Sequence, residues 1–199
     1  MSKDLDYRGG AVGTVATRSG LPGRMVRASR LDPTLYGEVR EDASTGAQAA
    51  AVVALVALAH GVGGVIRAIT LGWSPVEGFV LGPAGELLFW VAASVAIYLV
   101  GRYAFRGAAT YGQVARPFGF AAAPGVLILL AASASGLGGE RLLLPVIFLW
   151  RLAAGYVAVR AAFSLSRVKT AVTLLAGVAT GLLAVGLGIR LLVALAGWE

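Results

Sequence analysis

An all-α fold, a polytopic membrane bundle of five transmembrane helices, is predicted by three observations on the sequence. Hydrophobic residues make up 58% of the 199, and the mean hydropathy is +0.80. Five apolar stretches are each long enough to cross a hydrocarbon core of roughly 30 Å as a helix. Such a chain is too apolar for a soluble domain and too long for a single anchor. Cysteine is absent, which excludes thiolate catalysis, Cys-ligated metals and disulfides. The net charge of +7 would suit nucleic acid if it were clustered. Lys and Arg lie almost entirely between the apolar stretches instead, so the expected partners are membrane lipids and no nucleic acid.

Residues 1–31 are expected to be a disordered basic cytoplasmic tail, because GGAVGTVATRSGLPG has little to bury and many turn formers. The first long apolar run starts only near Ala47, so no secretory signal peptide is expected. Arg24, Arg27 and Arg30 stand in an acid-free stretch that attracts anionic lipid. Asp32 as N-cap and Pro33 at the first helical position then predict an amphipathic interfacial helix within 32–46. Leu35, Tyr36, Val39 and Ala43 share one of its faces, as in a helix lying on a membrane or against a partner.

Residues 47–199 make up the five-span domain, with spans at about 47–66, 84–101, 118–135, 142–163 and 171–197. The connection RAITLGWSPVEGFVLGP contains two prolines and three glycines. It is expected at the membrane surface, with Trp73 interfacial, and is not counted as a span. Arg116 and Pro117 are expected to close a polar loop before the third span. Only residues 136–141 separate the third and fourth spans, which makes these an antiparallel hairpin.

Orientation follows from the basic residues. Seven precede the first span, three lie at Arg102, Arg106 and Arg116, and three at Arg160, Arg167 and Lys169, so thirteen of seventeen share one side. This places the amino terminus in the cytoplasm and the carboxyl terminus outside, in a multi-pass protein of the cell membrane.

Four ionisable residues, His60, Glu86, Arg151 and Arg190, fall within or near the apolar core. With about 1.5 Å of rise per residue, Arg151 lies about 13 Å below the outer boundary, His60 and Arg190 about 10 Å, and Glu86 a few Å. Charges in hydrocarbon are costly, so each is expected to face the bundle interior, line a recess or snorkel. Glu86 is expected to approach Arg190, and Arg151 to turn inward with Ser133 or His60 as neighbour. The functional reading is an ion path or an anion recess; the structural one is a polar contact that fixes helix packing. His60 has no second His or Cys to complete a metal site. Ser133 and Ser135 with His60 would suit a membrane serine protease, but the G-x-S-x-G turn is absent. Gly177, Gly181, Ala184 and Gly188 share one helical face where another helix can approach closely, inside the bundle or across a dimer.

Three short stretches carry a resemblance. LYGEV, with Leu35, Tyr36 and Gly37, is similar to a D-L-Y-G-P motif before the first span of the Yip1 family. FGFAAAP, with Phe118, Gly119 and Pro124, is similar to that family's glycine-aromatic stretch in the third span. FLWRLAAGYVAVRAAFSLSRVKTA, with Trp150, Arg160 and Lys169, resembles the fourth span and following linker of its bacterial members. The resemblance covers residue 32 to the carboxyl end and implies five spans with a cytoplasmic amino terminus. It further implies a binding or shaping protein without enzymatic activity or cofactor. Glu38 stands where the eukaryotic motif has Pro, and Pro33 and Thr34 separate Asp32 from Leu35, so Rab GTPase binding is not carried over. The function expected is a membrane scaffold, binding itself as a homo-oligomer or another membrane protein through the glycine face and the 33–43 helix. The alternative is a small channel or transporter using the polar recess.

Overall fold

The computed structural model describes residues 20–198. Most of the tail expected to be disordered therefore lies outside the described residues. Among the described residues there are helices and no strands. Five helical segments are long and apolar enough to cross a membrane: Ala43–Leu71, Pro75–Ala104, Tyr111–Ser133, Glu140–Phe163 and Arg167–Ala196.

The first two spans form a closely packed hairpin of α3 (Gly46–Leu71) and α4 (Pro75–Leu99). Gly72 takes the left-handed conformation, φ 79°, that ends α3. Ser74 then caps α4 by accepting from the Glu77 amide, and Pro75 sits in the first turn, where its missing N–H is not needed. The connection expected along the membrane surface is thus helical except for residues 72–74, a correction with a physical cause. Gly78 and Gly82 are packing residues here and do not break the helix. The Gly64 and Gly78 backbones meet so closely that neither has room for a Cβ. A Cβ on Gly82 would lie 2.5 Å from the His60 carbonyl oxygen, and one on Gly61 would lie 2.9 Å from Pro83 Cγ. Small residues on both helices let the two backbones touch, as membrane helix pairs commonly do.

The third span also starts earlier than expected. Thr110 and Gln113 form a capping box that opens α5 (Tyr111–Phe120), so Arg116 and Pro117 lie inside the helix and not in a loop. A 3-10 segment, Ala123–Leu127, follows with Pro124 in its first turn, and α6 (Ile128–Ser133) completes the span. Then α7 (Glu140–Phe163) returns antiparallel, and α8 (Arg167–Ala196) ends the bundle.

On α8 the glycine face packs against α4. A Cβ on Gly181 would meet Phe89 Cδ2 at 2.7 Å, and Gly177 and Gly188 similarly abut Ile97 and Leu88, while Ala184 is half-buried beside them. Its opposite face presents Leu175, Leu183, Leu187, Leu191 and Leu195 outward, as lipid contact requires.

The amino-terminal segment also departs from the expectation. Leu21–Ser29, expected to be disordered, forms helix α1, and Pro33–Glu41 forms α2. Asp32 caps α2 as the sequence predicts, accepting from the Thr34 amide at 2.9 Å. Neither helix lies free. Leu35, Tyr36 and Val39 are fully buried against Ala49 and Val52 of α3, Phe120, Ala121 and Ala123 of the third span, and Ala154 and Ala158 of α7. The partner of the amphipathic face is the chain's own span bundle.

Candidate functional site

Three of the four intramembrane ionisable residues meet. Glu86 is the twelfth of 25 residues in α4, Arg151 the twelfth of 24 in α7, and His60 the fifteenth of 26 in α3, so all three stand near the middle of their helices. Arg151 forms a two-pronged ion pair with Glu86, Nη2 to Oε1 at 2.6 Å and Nη1 to Oε2 at 3.0 Å. This fork geometry is the strong form of carboxylate recognition. The Glu86 side chain is only 3% exposed. Gly125 lies beside the guanidinium, where a Cβ would meet Val56 Cγ1 at 2.8 Å and Arg151 Nη1 at 3.4 Å, and the Phe89 ring faces Arg151 Cζ at 5.7 Å. The His60 Nε2 is 3.8 Å from Glu86 Oε2, while Nδ1 lies 2.9 Å from the Val56 carbonyl oxygen.

This arrangement corrects the expected pair of Glu86 with Arg190. A helix that began at Ala84 would hold Glu86 near the outer boundary; α4 begins at Pro75, which puts Glu86 about 16 Å along the helix. Arg190 is the twenty-fourth of 30 residues in α8, exposed, on a ridge with Leu183, Gly186 and Leu187. It stands nine residues from Gly181, about half a turn off the face that meets α4. Arg151 does turn inward as expected, but toward Glu86. Ser133 is exposed and donates to the Leu129 carbonyl, Ser135 donates to Ala132, and neither joins the cluster, which removes the geometry a protease reading needs.

The trio lies at one end of a cavity of about 260 Å³ between α4, α5, α7 and α8. Its walls are otherwise apolar and include Phe89, Phe118, Leu152, Leu174, Val178 and Val185. The two helices at its mouth touch at Gly155 and Leu174, where a Cβ on the glycine would be 3.1 Å from Leu174 Cδ1. Phe148 of α7 and Leu182 of α8 both line the cavity and are 42% and 54% exposed, so the cavity reaches the lipid-facing surface between them.

A second arrangement, which the sequence did not suggest as a unit, joins the stretches similar to family motifs. Leu35, Tyr36 and Val39 pack on Phe120, Ala121 and Ala123 in one buried cluster. Gly119 lets α5 approach α3, since a Cβ there would stand 3.2 Å from the Ala49 carbonyl oxygen, and Phe118 and Pro124 are buried on either side. Arg116 donates from Nε to the Val39 carbonyl at 2.9 Å and from Nη2 to the Arg40 carbonyl, capping the last turn of α2. That turn leaves carbonyls without helical partners, so a guanidinium fits both by hydrogen bond and by dipole. Trp150 donates from Nε1 to the Ser29 carbonyl at 2.7 Å, and Tyr36 donates its hydroxyl to the Ala28 carbonyl. Burial pushes the Tyr36 hydroxyl pKa up, so it stays a donor. Gly37 faces open space, and Arg160 is exposed in the last turn of α7.

The outer surface of α1 and α2 is polar and tied together by Arg27, which binds Asp32 at 2.7 Å and Glu38 at 2.8 Å. The Thr34 hydroxyl, and then Arg27, hold the Asp32 carboxyl down at about 2, and Arg27 lowers Glu38. Both acids are therefore ionised at neutral pH.

A search of curated proteins and one of solved structures return no match to the chain. The family model for the Yip1 domain matches residues 33–189, from the first residue of α2 to within the last two turns of α8. That match takes in the docked α2, the cap by Arg116, the first four spans and the fifth as far as residue 189. This chain is a multi-pass, all-helical membrane protein that belongs to the Yip1 family.

Proposed function

We propose that the protein is a non-enzymatic scaffold of the cell membrane, with its amino terminus in the cytoplasm and its carboxyl terminus outside, that binds another membrane protein or a second copy of itself. The observation that carries this reading is the docking of α1 and α2. Their apolar faces are used up within the chain, and a cross-braced polar face remains outward, held in place by Arg116, Trp150 and Tyr36. A rigidly held polar surface suits recognition, because little ordering is left to be done on binding. The partner surface is thus the outer side of α1 and α2 around Gly37, Glu38 and Glu41. The glycine face of α8 and the apolar face of α2 serve internal packing instead. A transport path would need polar groups at successive depths. The cavity has its ionisable groups at one level, with apolar walls elsewhere.

Position 37 is well suited to a test, since a side chain added there meets nothing within 4 Å. A photoreactive phenylalanine derivative at Gly37 or Glu41 is expected to give a discrete crosslinked product in native membranes. The same group at Leu187, on the outward face of α8, is expected to give none. Uncrosslinked monomer alone from positions 37 and 41 would end the scaffold reading.

A further inference from the structure

We infer that the cavity beside Glu86 and Arg151 is a binding site for a neutral lipid with a hydroxyl head and a hydrocarbon tail, admitted sideways from the bilayer between Phe148 and Leu182. The inference is independent of the partner surface on α1 and α2.

Hydrogen-bond accounting at the polar end carries the first step. The Val56 carbonyl can only accept, so the 2.9 Å contact assigns a ring proton of His60 to Nδ1. Nε2 is then an acceptor, and it faces Glu86 Oε2, another acceptor, at 3.8 Å. The gap between them calls for a donor. Trp90 lines the same cavity, and its indole N–H is buried with no hydrogen-bond partner among the described residues. That donor calls for an acceptor, since a buried N–H left unpaired is costly. Trp90 stands one helical turn from Glu86 on α4, and a hydroxyl group, being both donor and acceptor, is the chemistry that suits both needs.

Charge decides against an ionic head. Glu86 and Arg151 neutralise each other in a two-pronged pair, so an incoming anion would meet the carboxylate and a cation the guanidinium. Each would be desolvated without a free partner. The rest of the lining, Phe89, Phe118, Leu152, Leu174, Val178 and Val185, is suited to a hydrocarbon chain. Water alone would satisfy the polar end and leave the apolar length unfilled. The opening between Phe148 and Leu182 stands level with the middle of α7, where the surroundings are lipid.

The test uses the full chain in phosphatidylcholine nanodiscs and a diazirine-bearing hexadecanol, with the labelled residues mapped by mass spectrometry. Label is expected on the cavity-facing residues of α7 and α8. Unlabelled hexadecanol is expected to compete roughly fivefold or more better than palmitate or hexadecane, the discrimination of about one hydrogen bond. Trp90→Phe keeps an aromatic ring and removes the donor, and is expected to lower labelling roughly fivefold on the same grounds, with circular dichroism and elution volume unchanged. Leu182→Trp, at the opening and away from the polar end, is expected to lower it as well. Competition by hexadecane equal to that by hexadecanol would reduce the site to an apolar groove, and a preference for palmitate would make its ligand an anion. Labelling indifferent to Trp90→Phe, or none in the cavity, would likewise overturn the proposal.

Discussion

Arg151→Leu is expected to destabilise the bundle by about 3–5 kcal/mol, the loss typical of a buried pair from which one partner is removed. Glu86 would keep its place, 3% exposed and surrounded by apolar walls, with both carboxylate oxygens deprived of the guanidinium that now binds them. The double replacement Glu86→Leu with Arg151→Leu is expected to recover most of that loss, because it removes the charge together with its partner. Thermal unfolding of the four proteins of this cycle in one detergent measures the coupling. A loss in the double variant equal to the sum of the two single losses would show that the pair is not coupled. Arg190→Leu serves as the contrast: this residue is exposed on the outward ridge of α8 and is expected to change stability by less than about 0.5 kcal/mol.

The second large effect is expected at the seam of the hairpin of α3 and α4. Gly64→Val should cost about 3 kcal/mol or more, at or above the upper end for overpacking, because the new side chain meets the Gly78 backbone and no rotamer change can relieve it. Gly186→Ala, whose Cβ would meet nothing within 4 Å, controls for the general effect of adding a methyl group. The loss at Gly64 carries a structural consequence as well. The same seam brings His60 against Gly82, four residues before Glu86, so forcing α3 and α4 apart also pulls His60 from the ion pair. Unfolding midpoints for Gly64→Val and Gly186→Ala that coincide would refute the close approach.

The spans were legible because hydrocarbon leaves few ways to satisfy a backbone, and the antiparallel hairpin of α7 with the third span followed from its short connection. Glycine and proline were harder to read. In RAITLGWSPVEGFVLGP they look like breaks, yet only Gly72 bends the chain, while Gly78 and Gly82 let helices touch and Pro75 starts one. A glycine letter does not say which of these it does. The misplaced start of α4 then shifted the apparent depth of Glu86 and led to Arg190 as its partner. Helix α1 was hidden for a different reason. It is short and weakly apolar, and its contacts come from distant residues: Gln48 accepts from Arg24, Trp150 reaches Ser29, and Tyr36 reaches Ala28. Local composition holds none of that. The amphipathic face of α2 was visible in the spacing of Leu35, Tyr36 and Val39, but periodicity alone could not name the surface that covers it.

Single-cysteine labelling tests the docking of α2 most directly, and the absence of native cysteine makes it clean. Val39 is fully buried against the spans and Glu41, two residues on, has a side chain 64% exposed. In inside-out vesicles a membrane-impermeant maleimide is expected to label Glu41→Cys readily and Val39→Cys more than about tenfold more slowly, because the buried site reacts only after local opening. Equal rates at the two positions would contradict a docked α2, and labelling of Glu41→Cys only in right-side-out vesicles would contradict the cytoplasmic amino terminus.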